Sequence, residues 1–298
     1  MGRAPSAEQT DRANHFHQCY QQLAGDRLKT LSKLLRQCGD HPPIIAMMFG
    51  ASHLHFFRNW VASCDRHKID TRGRTIVFAM DTVTESTCDE MSFHSCPLHG
   101  SGYAAPSVSR QFGDTGFRQC MFYKNAVIAD LLELGADVLF QDADLIWLRD
   151  PIVYLNSVIA EMDLLMMYDG AGPSHYPFYF NTGFMYFKNT PASEAIIDTA
   201  LRNTASIFMC GGHQRPMNRI IGHHVNQNVA IAGALPESLF LNGHLFNLVR
   251  GVNERAGDWK NTGYVMHYSW TRDRAEKHRK IRQFGLDYLN DGTFDSDT

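Results

Sequence analysis

The sequence predicts an α/β fold built on a mainly parallel β-sheet that is flanked by helices. An apolar run from Ile44 to Phe49, a helical pattern from His53 to His67 and a second apolar run from Thr75 to Met80 give the strand–helix–strand order of a parallel unit. A further helix and strand follow between Phe117 and Phe140. Because these strands are continuously apolar, we expect the sheet to be covered on both faces.

The N-terminal part precedes this pattern and is expected to be helical. Apolar residues recur at three- and four-residue steps from Asp11 to Gln37, with Gly25 as the expected interruption, so two helices should pack on the main body. We therefore expect a tail and helical extension over residues 1–40, with disorder over residues 1–10, and one domain over residues 41–298. A chain of 298 residues, 44% of them hydrophobic, is long enough for this arrangement.

The later elements are predicted from shorter patterns. The stretch from Thr82 to Gly116 is rich in Ser, Gly, Pro and His, and we expect an irregular connection of the kind that is often functional. Further strands are predicted at 164–168, at 178–187 with an interruption at Asn181-Thr182-Gly183, and at 264–268. Further helices are predicted at 193–208 and 225–232.

Charge and composition exclude several classes of partner. The 28 basic and 31 acidic residues are interspersed and leave a net charge of −3, which argues against a nucleic-acid-binding face or a polybasic membrane patch. No apolar run approaches the roughly 20 residues that span a bilayer, and the stretch from Met1 to Thr10 lacks the apolar core of a signal peptide. We therefore expect no membrane span in this chain.

Cysteine usage favours a reducing compartment. The seven cysteines are odd in number and contain no C-x-x-C pair, although one disulfide could join Cys88 to Cys96. We expect reduced thiols and a cytoplasmic protein. A Golgi-type enzyme trimmed of its membrane anchor would have the same features.

Two carboxylates, Asp142 and Asp144, follow the apolar strand that ends at Phe140. Side chains two residues apart lie on the same face of an extended chain, so both acids can reach one cation. Hard divalent cations bind carboxylates, waters and substrate phosphates together. The apolar residues on both sides of the pair favour a metal site over two solvated acids in a loop.

Other polar residues follow the predicted strands, namely Asp81, Asp169 and His267. Mainly parallel sheets bind ligands outside the carboxyl ends of their strands, so these residues should converge with the acid pair. The sequence has no P-loop, no G-x-G-x-x-G after the first strand and no G-x-S-x-G. These absences argue against a Walker-type nucleotide site, a dinucleotide-binding fold and a serine hydrolase.

Three blocks of the chain resemble the nucleotide-diphospho-sugar transferases of glycosyltransferase family 77. They are Leu134 to Pro151, which contains both acids, Phe180 to Tyr186, and His267 to Trp270 followed by Lys277. Their order and spacing also match, so the resemblance covers about Ile44 to Lys280. The acid-containing block is the most specific of the three because it matches along most of its length.

The resemblance implies a GT-A fold, which is a single α/β/α domain that binds a nucleotide sugar and a divalent cation. Asp142, Asp144 and His267 would hold Mn²⁺ or Mg²⁺, which bridges the donor diphosphate. Lys277, with Arg272 or Lys280 nearby, would assist at the phosphates. The other residues implied to contact the donor are Phe49, Gly50, Ala51 and Asp81 around the nucleoside, Ala143 between the acids, and Lys124, which would touch the donor or only extend its charge to solvent.

The same resemblance implies that Asn181, Asp169 and Gln227 face the sugar and the reacting carbon. The family commonly shows Asp-Gln before an apolar helix. This chain has Asn226 before Gln227 and Asn228 after it, which leaves the role of position 226 open.

Histidines elsewhere do not form a recognisable metal motif. The spacing of Cys210, His213, His223 and His224 fits no standard structural zinc site, so we expect a mobile loop near the acceptor. The resembled family is retaining, yet no nucleophilic carboxylate emerges from the sequence. The working hypothesis is front-face transfer, in which a diphosphate oxygen helps to deprotonate the acceptor.

The sequence therefore predicts a metal-dependent, retaining glycosyltransferase. It would move xylose, galactose or arabinose from a UDP-sugar to a hydroxyl of a glycan or glycoprotein. One alternative is a phosphatase or phosphotransferase of the haloacid-dehalogenase type, which also carries Asp-x-Asp after a strand but normally has Thr or Val where this chain has Leu145 and Ile146. Another is a non-catalytic relative that binds nucleotide sugars.

Overall fold

Helices and strands alternate along most of the computed structural model, which describes residues 6–22, 24–39, 42–98, 115–170, 179–243 and 259–289. The helices are α1 (Ala7–Gln22), α2 (Ala24–Cys38), α3 (Leu54–Arg66), α4 (Thr82–Glu90), α5 (Thr115–Glu133), α6 (Pro151–Val158), α7 (Pro191–Arg202), α8 (Thr204–Cys210), α9 (Gln214–Asn226), α10 (Trp259–Thr262) and α11 (Arg274–Gln283). The strands are β1 (Ile44–Phe49), β2 (Thr75–Ala79), β3 (His94–Pro97), β4 (Val138–Gln141), β5 (Leu145–Trp147), β6 (Leu164–Tyr168), β7 (Phe180–Phe187), β8 (Ala232–Leu235), β9 (Phe240–Asn242) and β10 (Val265–His267).

The large sheet has seven strands in the order β3-β2-β1-β4-β7-β6-β8. Every neighbouring pair is parallel except for those made by β7, which is antiparallel to β4 and to β6. Along β1, Ile44 and Ala46 pack into one buried cluster, whereas Ile45 and Met47 pack into another on the opposite face. The prediction of a mainly parallel sheet with covered faces is therefore confirmed.

A second sheet of three strands, in the order β5-β10-β9, lies within the cluster that contains Ile45. Its middle strand, β10, is antiparallel to β5 and pairs His267 with Leu145. The indole N–H of Trp147 donates to Oε1 of the buried Gln141 at 2.8 Å, which ties β5 to the end of β4. The pairing of β10 with β5 brings His267, from the C-terminal part of the chain, close to the two acids.

Two parts of the chain are more regular than predicted. The stretch expected to be irregular contains α4 and β3, while residues 99–114 lie outside the described ranges. Helix α4 begins after Asp81, whose side chain accepts from the backbone N–H of Thr84 at 2.8 Å. This cap pairs one of the N–H groups that the first turn of a helix otherwise leaves without a partner. At the N-terminus, α1 already begins at Ala7, so disorder over residues 7–10 is also wrong.

Two predicted helices differ in their bounds. The helix predicted at 225–232 is wrong, because α9 ends at Asn226, Asn228 has a φ of 55°, and β8 begins at Ala232. The helix predicted at 193–208 is two helices, α7 and α8, which meet at Asn203. The α9 helix itself was missed.

The N-terminal helices pack on α5 and α8, and a buried polar cluster joins them to α5. The Arg27 guanidinium pairs with the Asp130 carboxylate, donating through Nη2 at 2.9 Å as well as through Nε, and Tyr20 donates to the same carboxylate at 2.6 Å. Arg27 and Asp130 are almost fully inaccessible, so each depends on the other for compensation. Two helices packed on the main body were predicted, and the structure confirms them. The boundary at residue 40 stays a prediction.

The thiols of Cys88 and Cys96 are free, as are those of Cys38, Cys64, Cys120 and Cys210, so a disulfide between Cys88 and Cys96 is not formed. Burial raises the pKa of each of these two thiols to about 12. None of the helices within the described ranges is long and apolar enough to cross a membrane.

Replacing Asp130 with Ala should lower the free energy of unfolding by about 3–5 kcal/mol, because it leaves the buried Arg27 guanidinium unpaired. The matched control is Asp198→Ala, which removes an exposed ion pair with Arg202 and should cost less than about 1 kcal/mol. Denaturant unfolding followed by circular dichroism gives both values. Similar small losses in the two variants would contradict the anchoring role of the buried pair.

Candidate active site

The candidate site lies at the carboxyl ends of the parallel strands. Asp142 follows β4, and Asp169 follows β6. Strand β7 runs the other way, so it begins at this same edge and places Asn181 beside both. His267, the last residue of β10 in the small sheet, lies at the same place. The convergence predicted for Asp142, Asp169 and His267 is what the structure shows.

Asp142, Asp144 and His267 form a group that could hold a metal ion. One ligand atom from each lies within 4.8 Å of the others. Asp144 and His267 are buried, while Asp142 is partly exposed on the side that faces the pocket. Two carboxylates and an imidazole form a donor set that suits Mn²⁺, whereas Mg²⁺ prefers oxygen ligands.

Two lysines compensate the charge of the acids. The Lys124 ammonium lies 2.5 Å from Oδ1 of Asp142 and also donates to the Thr182 carbonyl at 3.2 Å. The Lys277 ammonium pairs with Oδ2 of Asp144. Lys124 is only 3% exposed, so the alternative that it extends its charge to solvent is wrong.

The Asp144 carboxyl is kept ionised by its neighbours. Burial raises its pKa, but Lys277 and His267 outweigh burial, through their electrostatic effect and a hydrogen bond from each, and hold the pKa well below its usual value. Nε2 of His267 lies 3.4 Å from Oδ1 of Asp144. An ionised carboxylate is the form that a metal ligand requires.

Gly183 allows these groups to meet. A Cβ atom at this position would lie 2.3 Å from Cε1 of His267, 2.8 Å from Oδ2 of Asp142 and 2.9 Å from Oδ1 of Asn181. The Gly183 backbone is also bound there, since its carbonyl accepts from Asp142 N–H at 2.9 Å and its N–H donates to Asn181 at 2.7 Å. The cluster is therefore built around a position that only glycine fits, which agrees with a site shaped for an ion.

A second polar group surrounds Asp169. Its carboxylate accepts from Nδ2 of Asn181 at 2.9 Å, from Nε2 of Gln214 at 2.8 Å and from Nε1 of Trp270 at 3.1 Å. Both carboxylate oxygens are engaged. Asp169 therefore joins β6, β7, α9 and the segment after β10 into one wall.

A pocket of about 740 Å³ lies between the Asp142–Asp144–His267 cluster and the Asp169 wall. It is within the size range of small-molecule sites. Besides residues of these two groups, its lining includes Phe117, Met121, Lys124, Tyr179, Cys210, His213, Arg215, Ser269, Thr271 and Lys277.

Gln227 does not line this pocket. It follows the last residue of α9 and is exposed, whereas the pocket lies at the other end of that helix, about 20 Å away. The glutamine that reaches the pocket is Gln214, the first residue of α9. The sequence pattern used was a glutamine beside an apolar helix. It selected Gln227, beside the helix wrongly predicted at 225–232, because α9 was not recognised. The substitution at Asn226 therefore lies away from the site.

His213 precedes Gln214 and lies in the pocket wall. It is 4% exposed, and its Nε2 has no hydrogen-bond partner in the part of the chain that the structure describes. Burial and the nearby charge of Lys124 lower its pKa well below the usual value, so the imidazole is neutral. His223 and His224 lie near the far end of α9, and no zinc-type cluster that includes these histidines occurs in the described ranges.

The residues predicted to hold the nucleoside lie at the same sheet edge but do not line the pocket. Asp81 follows β2, caps α4 and accepts from the Ala51 N–H at 2.7 Å. Gly50 is packed so closely that a Cβ there would lie 2.7 Å from Oδ2 of Asp81. Phe49 is buried at the end of β1. Their contact with a nucleoside stays a prediction.

Among the other predicted residues, Ala143 is buried between the two acids, and Lys280 donates to the Trp270 carbonyl at 3.5 Å. Arg272 is exposed. Burial lowers the pKa of His53, which precedes α3, and the charge of Asp144 opposes this effect.

Residues 71–283 match the sequence profile of the family described as nucleotide-diphospho-sugar transferase. This range is most of the chain and contains both acids, His267, the Asp169 wall and Lys277. The chain belongs to the nucleotide-diphospho-sugar transferase family. The family predicted from the three sequence blocks is thereby confirmed.

Individual relatives agree with this assignment. The chain is 23% identical over 264 residues to the beta-arabinofuranosyltransferase RAY1 of Arabidopsis thaliana, covering 82% of this chain and 47% of that protein. It is 23% identical over 287 residues to UDP-D-xylose:L-fucose alpha-1,3-D-xylosyltransferase 3 of the same plant, covering 90% of this chain and 72% of that protein. The chain thus spans about half the length of the first of these relatives.

Solved structures support the fold. The active-site mutant of LgtC is 12% identical, with a TM-score of 0.53 over 81% of this chain and 95% of that one. The galactosyltransferase LgtC with donor and acceptor sugar analogues gives a TM-score of 0.50, at 12% identity over 84% of this chain and 97% of that one. The GT-A fold predicted for the nucleotide-diphospho-sugar transferase is confirmed.

Replacing Gly183 with Ala should abolish metal binding, because the added Cβ would displace the His267 ring or the Asp142 carboxylate. The measurement is the rise in melting temperature that saturating Mn²⁺ causes. The matched control is Gly222→Ala, since a Cβ at this position in α9 meets nothing within 4 Å. If Mn²⁺ raised the melting temperature of Gly183→Ala as much as that of the control, the role of Gly183 in making room for a metal site would be contradicted.

Proposed function

We propose that the protein is a metal-dependent, retaining glycosyltransferase that moves a sugar from a UDP-sugar to a hydroxyl of a glycan or glycoprotein. The observation that carries this proposal is the Asp142–Asp144–His267 cluster, which lies with Lys277 at one side of a polar pocket in a family of nucleotide-sugar transferases. The relatives described above are named as an arabinofuranosyltransferase and a UDP-D-xylose-dependent xylosyltransferase, which favours a pentose as the transferred sugar. Galactose remains an alternative.

The cluster would bind the diphosphate end of the donor. A divalent cation held by Asp142, Asp144 and His267 would neutralise the nucleoside diphosphate as it leaves. Lys277 already reaches Asp144 at the pocket wall, so its ammonium can donate to a phosphate oxygen. Lys124 holds Asp142 in place from the buried side.

The opposite wall would bind the transferred sugar. Asp169, Asn181 and Gln214 are fixed by mutual hydrogen bonds and line the pocket. Hydroxyl groups can both donate and accept, so they fit a wall that contains carboxylate and amide groups. The neutral His213 lies in the same wall, and its Nε2 has no hydrogen-bond partner among the described residues.

The pocket offers no carboxylate that is free to act as a nucleophile among its described lining residues. Asp142 and Asp144 belong to the metal-binding cluster, and both oxygens of Asp169 accept hydrogen bonds. A double displacement needs an unencumbered carboxylate close to the reacting carbon. This arrangement favours front-face transfer, in which a diphosphate oxygen takes the proton of the acceptor hydroxyl.

A screen of UDP-sugars should reveal Mn²⁺-dependent donor hydrolysis that EDTA abolishes. Asp144→Asn should reduce this rate by about 100-fold or more, because it removes a charged metal ligand. Asp198→Asn, on the exposed face of α7, serves as the control and should leave the rate unchanged. UDP release is the readout.

Hydrolysis that persists in EDTA would contradict the metal-dependent mechanism. Binding of UDP-sugars without hydrolysis or transfer would instead identify a non-catalytic binding protein. Phosphate release from simple phosphoesters would favour a phosphatase.

The product should keep the anomeric configuration of the donor, because front-face transfer forms the new bond on the side from which the diphosphate leaves. Proton NMR of the transfer product reports the configuration at the new glycosidic carbon. A product of inverted configuration would rule the mechanism out.

A further inference from the structure

Arg215 brings a positive charge to the pocket that no acidic residue of the described lining compensates. The other two ammonium or guanidinium groups of this lining are already paired, Lys124 with Asp142 and Lys277 with Asp144. The Arg215 side chain forms no hydrogen bond and no ion pair with the residues that the structure describes. Its charge therefore needs a partner from outside the protein.

The remaining acidic residue of the lining does not supply this partner. Both oxygens of Asp169 accept from uncharged N–H donors, which belong to Asn181, Gln214 and Trp270. Arg215 follows Gln214 directly in the chain, yet the acid is bound by the neutral neighbour. The guanidinium is thus available to a ligand.

The helix that carries Arg215 does not stabilise its charge either. Helix α9 begins at Gln214, so Arg215 lies in the first turn, where the helix dipole favours negative charge. This turn contains no acidic residue, and His213 at the N-cap makes no capping bond with its side chain. A negatively charged group of a ligand would stabilise the guanidinium and this end of the helix together.

Arg215 lies at the outer part of the wall assigned to the sugar. It is exposed, whereas Asp169 and Asn181 are 5% and 4% exposed. Burial raises the pKa of Tyr179, another residue of the lining, and the charge of Arg215 is among the effects that oppose this rise. The donor sugar is assigned to the enclosed part of this wall and the diphosphate to the opposite side, so Arg215 would meet the acceptor.

We propose that Arg215 binds a carboxylate of the acceptor, so that the protein glycosylates an acidic glycan in preference to a neutral one. This inference rests on the proposed function. The guanidinium presents its N–H donors in a planar fork that matches the two oxygens of a carboxylate. A uronic acid carries this group where the neutral hexose has a CH₂OH group, so a uronic acid is the class of sugar expected in the acceptor.

A glycan array tests this preference without turnover. The full chain with Mn²⁺ and UDP should bind glycans that contain a uronic acid about tenfold more strongly than the matched neutral glycans. Arg215→Gln should lose this preference. Arg215→Lys should retain part of it, because lysine keeps the charge but not the planar fork.

The matched control is Arg219→Gln. Arg219 is also exposed and lies one turn further along α9, and it is not among the described residues that line the pocket. This variant should keep the preference of the wild-type protein.

Three outcomes on the array would overturn the proposal. The first is a wild-type protein that binds no acidic glycan more strongly than its neutral counterpart. The second is a preference that persists in Arg215→Gln. The third is a stronger preference for sulfated or phosphorylated glycans, which would replace the carboxylate with another oxyanion.

Kinetics distinguish a contact with the acceptor from a contact with the donor. With an acidic acceptor found on the array and its neutral counterpart, Arg215→Gln should lower kcat/KM about tenfold for the acidic member only. An equal loss for both members would place the guanidinium at the donor and overturn the proposal. An acidic preference on the array without donor hydrolysis or transfer would contradict only the proposed function.

Discussion

The carboxylates of Asp142 and Asp144 follow one strand and require partners that compensate their negative charge. Elements from several parts of the fold provide these partners. Helix α5 brings the buried Lys124, α11 brings Lys277, and the small sheet brings His267. These partners come from three separate parts of the sequence. The fold therefore depends at this edge on charge compensation as well as on apolar packing, and a divalent cation would complete it.

The close approach of β7 turns this charged edge into a pocket. Gly183 leaves room for His267 and Asp142, and the register of β7 against β6 shifts beside it, between Met166 and Met167. That irregularity places Asn181 against Asp169, which in turn binds Gln214 and Trp270. One departure from regular strand pairing thus links the Asp142–Asp144–His267 cluster to the wall assigned to the sugar.

Local patterns predicted the parallel sheet and the acid pair, because strand burial and the two-residue spacing of Asp142 and Asp144 depend only on neighbours in the sequence. The position of His267 after a predicted strand was visible in the sequence, but its role as a metal ligand came from family resemblance, since its approach to the acids depends on pairing between strands far apart in the chain. Gln227 was chosen over Gln214 because α9 begins within a segment whose Gly and Pro residues conceal its periodicity. The left-handed backbone of Trp270, with a φ of 57°, could not be predicted, because bulky side chains rarely adopt this region.

The central claim is that Asp142, Asp144 and His267 together bind a divalent cation beside the donor diphosphate. Crystals grown with Mn²⁺ and UDP, measured near the manganese absorption edge, test it most directly. The account predicts one anomalous peak at about 2.2 Å from a ligand atom of each of the three residues, in contact with the diphosphate. A peak elsewhere, or UDP bound in the pocket with no peak at this cluster, would contradict it.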